Sequence, residues 1–162
     1  MIIMGIDPGV ARMGFGVINK ISGSKSKNRN EIKCLDYGLI ETSPNLPMAE
    51  RLEILYNELN NLIRKHKPKI LAVENIYFFK NFKTAMPVSQ AKGVVLLAAA
   101  KKKIPVSEFT PLQVKMNITG YGRATKIQMQ KMVQTILFLK EIPKPDDVAD
   151  ALGVAISCAR LF

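Results

Sequence analysis

Residues 1–18 read MIIMGIDPGVARMGFGVI. The segment IIMGID (2–7) is apolar apart from Asp7, and Pro8-Gly9 is a turn signal, so it reads as a buried strand ending on a carboxylate. FGVINKI (15–21) reads as a second strand folding back on the first, and EIKCLDYGLIET (31–42) as a third. Between these two lies the polar, basic SGSKSKNRN (22–30), which suits the tip of a hairpin.

Downstream the period changes. A helix is expected from Leu46-Pro47 to about His66, with Leu52, Leu55, Leu59, Leu62 and Ile63 at helical spacing and Pro68 ending it. KILAVENIYFF (69–79) is almost continuously apolar, as in a central strand buried on both faces. A helix over about 84–103 follows, ending in Lys101-Lys102-Lys103, and IPVSEF (104–109) reads as a fifth strand. Thr110-Pro111 is an N-cap and N1 pair opening a short helix. Gly120-Tyr121-Gly122 breaks the chain before a helix over about 125–139, and the elbow at Pro143 and Pro145 precedes a last helix from Asp146. Three hairpin-linked strands followed by alternating helices and strands predict an α/β three-layer fold. Its mixed five-stranded sheet would be flanked by helices, in one domain spanning 1–162.

Apolar residues make up 48% of the 162, which excludes a disordered chain. No apolar run approaches the roughly 18 residues a membrane span needs. The N-terminus lacks the order of a signal peptide, and Cys34 and Cys158 form no C-x-x-C pair, so a cytoplasmic protein with two free thiols is expected. Net charge is +11, and from Lys80 to Lys140 there are 11 Lys or Arg residues against one acid, Glu108. That imbalance fits a binder of phosphate backbones; solvated surface lysines are the plainer alternative. No helix pairs a basic face with a large aromatic apolar face, which argues against a membrane surface.

With only 13 acids in the chain, their positions carry information. Most fall in loops or on exposed helix faces, but four do not. Asp7 ends the first strand, Glu74 sits inside LAVENIYFF, and Asp147 and Asp150 share one face of the helix DDVADALGVA. An ionised carboxylate in apolar surroundings is costly without a partner. Taken singly, Asp7 could cap its turn, Glu74 could be an internal salt bridge, and Asp146 with Asp147 could serve the helix N-terminus. Taken together, a divalent metal explains the four acids more economically, and Mg²⁺ takes a few carboxylates plus substrate phosphate oxygens.

The motifs G-I-D-P-G, V-E-N on a central strand and D-V-A-D-A-L-G-V-A on a terminal helix closely resemble the RuvC-type Holliday junction resolvases, over about 3–159. G-I-D-P-G alone is weak, since actin-like ATPases open similarly, but 162 residues do not supply the two domains those need. The resemblance implies a ribonuclease H-like fold and a homodimer that cuts four-way DNA junctions. It implies Mg²⁺ and catalytic, metal-holding acids at Asp7, Glu74, Asp147 and Asp150; phosphodiester hydrolysis would be served by two such Mg²⁺ ions per active site, with Mn²⁺ able to substitute. Some relatives carry His where Asp147 stands.

Lys115, in QVK, and Lys126 match the family's DNA-contacting lysines, and Tyr77 falls where relatives often have Phe. Arg123, in GYGR, and Lys83 join them as candidate DNA contacts. Tyr77 could stack on an unpaired base, worth about 1–3 kcal/mol. The apolar helix containing TAMPVSQAKGVVLLAAA is a candidate dimer seam. Further implied are a branch-migration motor of the RuvA and RuvB type as partner, and association with the nucleoid during action. A junction-binding module without catalysis, and a nuclease of the same fold acting on RNA or a hybrid, are the alternatives.

Overall fold

A computed structural model describes residues 1–21, 31–75 and 82–162, the side chains of 31 and 82–84 excepted. β1 (Ile2–Asp7) lies at the centre of a five-stranded sheet ordered β3-β2-β1-β4-β5. β2 (Arg12–Ile21) and β3 (Glu31–Glu41) continue from it as antiparallel neighbours, while β4 (Ile70–Glu74) and β5 (Val106–Phe109) run parallel to it. β2 starts three residues before the expected Phe15. Its ladder with β1 extends to Asp7↔Gly14, and Arg12 pairs with Glu41 of β3. The hairpin tip 22–30 and positions 76–79 of the expected central strand lie outside the described residues, as does Tyr77.

Between β3 and β4 comes α1 (Met48–His66), with Leu55, Leu59 and Ile63 buried at four-residue spacing. α2 (Phe82–Lys101) packs beside it through Ala91, Val95, Ala98 and Ala99. It stops two residues short of the expected end because Lys103 turns left-handed (φ 54°) and Ile104 bonds back to the Ala99 carbonyl at 3.0 Å. β5 accordingly begins at Val106, after the turn.

α3 (Pro111–Thr119) and α4 (Lys126–Leu137) each open on a reciprocal cap, Thr110 with Gln113 and Thr125 with Gln128. α4 ends before the expected 139, at a left-handed Phe138 (φ 53°). α5 (Asp146–Ala159) closes the fold. Its residues from Val148 to Ala159 are buried apart from Asp150, as in a helix enclosed by the core.

The sheet therefore has a core on each side. Ile3, Ile18 and Ala72 pack with α3, α4 and α5, whereas Met4, Ile6, Met13 and Val17 pack with α1 and α2. Side chains alternate along β1, so Asp7 shares the face of Ile3 and Gly5, the face that α5 covers. α5 lies almost on the strands. A Cβ at Gly5 would sit 2.1 Å from the Ala151 carbonyl oxygen, and one at Gly14 equally close to that of Asp147. These two glycines permit the contact that carries the acidic start of α5 to the end of β1.

The basic stretch found in the sequence is divided in space. Lys101–Lys103 lie where β5 begins, and Lys115 and Lys126 lie beyond its end. Cys34 and Cys158 are free thiols, as expected. Among the described residues, no helix is long and apolar enough to cross a membrane.

Candidate active site

Parallel strands place their C-terminal ends side by side, which is where open α/β sheets bind ligands. β1 ends in Asp7 and its neighbour β4 ends in Glu74, with Ile6 paired to Val73 just before them. Asp150, at the start of the second turn of α5, comes down on the same point. One carboxylate oxygen from each of Asp7, Glu74 and Asp150 lies within 4.8 Å of the others.

The three groups are half-buried and of like charge, and their acidities show it. Burial, then the charges of Asp150 and Asp147, push Asp7 from 3.8 up to about 7. Burial, then Asp7 and Asp150, push Glu74 from 4.5 up to about 8. Asp150 rises from 3.8 to about 6, chiefly by burial and then by the charge of Asp146. Lys126 pulls Asp7 and Asp150 the other way, and Lys115 does so for Glu74 and Asp150. Protein cations therefore compensate these acids only in part.

Asp147 stands outside the trio. Arg12 Nη2 lies 3.4 Å from its Oδ2, close enough for an ion pair but without hydrogen-bond geometry, so that buried oxygen has no donor. Its charge still reaches Asp7. Asp146 does not cap the helix. Pro145, in extended backbone, holds the cap position, so Asp146 is the first helical residue and its carboxylate grips the Lys126 ammonium instead. That contact raises the lysine and lowers the acid.

Oxygen donors alone, crowded, partly desolvated and including an unsatisfied oxygen at Asp147, fit a hard divalent cation such as Mg²⁺. Beside them opens a cleft of about 190 Å³ lined by Glu74, Pro111, Val114, Lys115, Lys126, Met129 and Asp150. A lining that combines two acids with two lysines suits a phosphate held against a cation. Arg123 is exposed in the turn between α3 and α4 and does not line the cleft. Lys83 falls in the first turn of α2, where its side chain lies outside the described residues.

Two supporting contacts escaped the sequence reading. Arg12 lies between the Pro8-Gly9 turn signal and the strand expected from Phe15, and only the extended β2 pairing brings it to Asp147. Lys92 on α2 donates to Asn75 Oδ1 (3.0 Å) and Glu108 Oε2 (2.6 Å), fastening the residue after Glu74 to β5. The signal was present in V-E-N, whose Asn directly follows the buried acid.

Comparison with known proteins places this geometry in a family. The fold is the expected ribonuclease H-like class: the structure of RuvC from Thermus thermophilus superposes with a TM-score of 0.87 at 34% identity, covering 99% of this chain and 96% of that one. The same protein in complex with a Holliday junction substrate gives 0.87 over 97% of this chain and 92% of that one, also at 34% identity. The family model for crossover junction endodeoxyribonuclease RuvC matches residues 3–158. Relatives of that name are 51% identical in Caldicellulosiruptor saccharolyticus, covering 96% of this chain and 90% of that protein. The one from Pelotomaculum thermopropionicum is 51% identical over 100% and 94%. This chain belongs to the RuvC family of crossover junction endodeoxyribonucleases.

Proposed function

We propose that this chain resolves four-way DNA junctions by paired hydrolysis of phosphodiester bonds, serving recombination and repair. The observation that carries the reading is the trio of Asp7, Glu74 and Asp150, held at the ends of two parallel strands beside a lysine-walled cleft. Asp7, Glu74, Asp147 and Asp150 would hold the divalent cations, two Mg²⁺ per site with Mn²⁺ as a substitute. Bound cations supply activation of water and stabilisation of charge on the phosphate and the departing 3′ oxygen.

The remaining work falls to the chain itself. Asp7, at the end of β1, would be the carboxylate common to the cations, with Glu74 and Asp150 each completing the set and Asp147 assisting. Lys115 and Lys126 would draw the scissile phosphate into the cleft, and the Asp146 contact holds Lys126 at its edge. Arg123, Lys83 and Tyr77 would meet the DNA farther out. Products would be a 5′ phosphate and a 3′ hydroxyl.

Two cuts on a two-fold symmetric junction call for a two-fold dimer. α2 offers a seam, since Met86 and Leu97 are exposed and a side chain at Gly93 would meet nothing within 4 Å. A motor of the RuvA and RuvB type would move the crossover.

The experiment is incubation of a synthetic four-way junction, a linear duplex and an RNA–DNA hybrid with the protein in Mg²⁺ or EDTA. Paired nicks on the junction in Mg²⁺ alone are expected. Junction binding without incision in Mg²⁺ or Mn²⁺ would establish a binding module instead, and preferential cutting of the hybrid would reassign the substrate.

A further inference from the structure

β4 and β5 begin at the edge of the sheet opposite the acids, and there the surface has a second concavity. A cleft of about 470 Å³ is lined by Ile63, Arg64, Lys67, Pro68, Lys69, Lys102, Lys103, Ile104 and Pro105. Five of these nine are cations and none is an acid. The five are exposed, and none forms an ion pair among the described residues. Arg64 reaches only the neutral Asn61.

Helix electrostatics account for part of this charge. α1 and α2 both end here, and cations in a last turn complement the carbonyl end of a helix. Arg64 fits that role. Lys67, Lys69, Lys102 and Lys103 lie past the last helical residues, so the helices do not call for them. Two of the four also occupy left-handed backbone, Lys67 at φ 50° and Lys103 at φ 54°. Glycine is the easiest residue at such helix ends. Lysine at both positions keeps charge on the rim at a cost in backbone strain.

The floor differs from the rim. Ile63 and Pro68 are buried beneath it and Ile104 is half-buried. A duplex backbone would meet the lysine rim and leave this apolar floor uncovered, since its phosphates and sugars carry no projecting apolar group and the thymine methyls lie within the major groove. An extended acidic peptide satisfies both parts, with carboxylates on the lysines and an apolar side chain on the floor. About 13 Å of strand, the length of β4, separates this edge from Glu74, so an occupant here would not block the acid site.

We propose that this cleft docks an acidic peptide segment of a partner protein, with an apolar side chain among its carboxylates. The interaction ties that partner to the end of the molecule facing away from the scissile phosphate.

The test uses the full chain and three labelled probes: the peptide Asp-Asp-Glu-Leu-Phe-Glu-Asp-Asp, the same peptide with Ser-Ser at its centre, and a linear DNA duplex. Fluorescence anisotropy reads binding, and amide NMR shifts locate it. The first peptide should shift resonances in 63–69 and 102–105 and bind at least threefold tighter than the Ser-Ser peptide. Lys69→Glu with Lys102→Glu should weaken it at least tenfold, while Lys33→Glu with Lys140→Glu, the same charge change elsewhere, should change it less than threefold. Junction cutting should be the same in both double variants, and their melting temperatures confirm folding. Equal loss in both pairs, equal binding of both peptides, or shifts centred on Lys115 and Lys126 would overturn the proposal. Loss of duplex binding alone in Lys69→Glu with Lys102→Glu would reassign the cleft to nucleic acid. Failure of the wild type to cut junctions would bear on the proposed activity and leave the peptide result standing.

Discussion

The two ends of β4 carry opposite charge under opposite conditions. At its C-terminal end, Glu74 meets Asp7 and Asp150 in a half-buried trio whose carboxyls are pushed well above the usual carboxylate range. At its start, Lys69 stands with Arg64, Lys67, Lys102 and Lys103 in open solvent. Solvent and salt screen the basic end, so single charges there are worth little. The acidic end is partly desolvated, so each carboxylate affects the next, and the fold holds charges together that repel. Fold stability and the capacity for chemistry are thus opposed at one end and independent at the other.

Asp7→Asn breaks the acidic end most completely. Junction cutting should fall by about a thousandfold, the upper end of the scale for removing one preorganised charge-stabilising group. Junction binding should stay within threefold, and a gel shift in EDTA measures it. Equal loss of binding would mean that Asp7 is structural.

Gly14→Ala attacks the same end from beneath. Its new Cβ has no room against the Asp147 carbonyl, so α5 must lift. Misplacement by about an ångström costs roughly a hundredfold in rate, and overpacking costs about 1–3 kcal/mol. Junction cleavage rates and chemical denaturation test the two effects separately.

The pH dependence without metal follows from the raised acids. Asp7 at about 7 and Glu74 at about 8 bind protons more tightly in the folded chain than in the unfolded one, where they titrate near 3.8 and 4.5. The unfolded state therefore holds fewer protons between about pH 4 and pH 8, and stability should fall as pH rises through that window. Below it both states are protonated and the effect is absent. Asp7→Asn should flatten the slope and stabilise the metal-free protein at pH 8 by on the order of 1–3 kcal/mol. Melting temperatures from pH 5 to 8 in EDTA decide this, and an unchanged slope would contradict it.

Reversal at the basic end should do least to the fold. Lys69→Glu with Lys102→Glu is expected to alter stability by no more than about 0.5 kcal/mol, as for surface changes away from packed features. Denaturation midpoints of the two proteins measure it.

Much of this contrast was legible in the sequence. Asp7 and Glu74 stood out because a lone carboxylate in an apolar strand demands a partner, and Asp150 because its helix is otherwise apolar. The mixed character of the sheet followed from hairpin turns first and helical crossovers later. What escaped depended on tertiary contact. Arg12 reaches Asp147 only because β2 starts three residues before the expected Phe15, and Gly5 and Gly14 matter only because α5 lies on them. Asp146 had the chemistry of an N-cap, but Pro145 took the position and Lys126 took the carboxylate. The basic stretch from Lys80 to Lys140 is continuous in sequence, yet β5 runs through it and sends its lysines to opposite edges of the sheet.

The central claim is that the trio forms a cation site. Its most direct test is the melting temperature of the wild type and of Asp7→Asn at pH 8, followed as Mg²⁺ is added to metal-free protein. A ligand that binds only the folded state stabilises it by mass action. The wild type should rise with Mg²⁺ in a saturable way, by several degrees, while Asp7→Asn stays nearly flat. Identical responses in the two proteins would contradict the account.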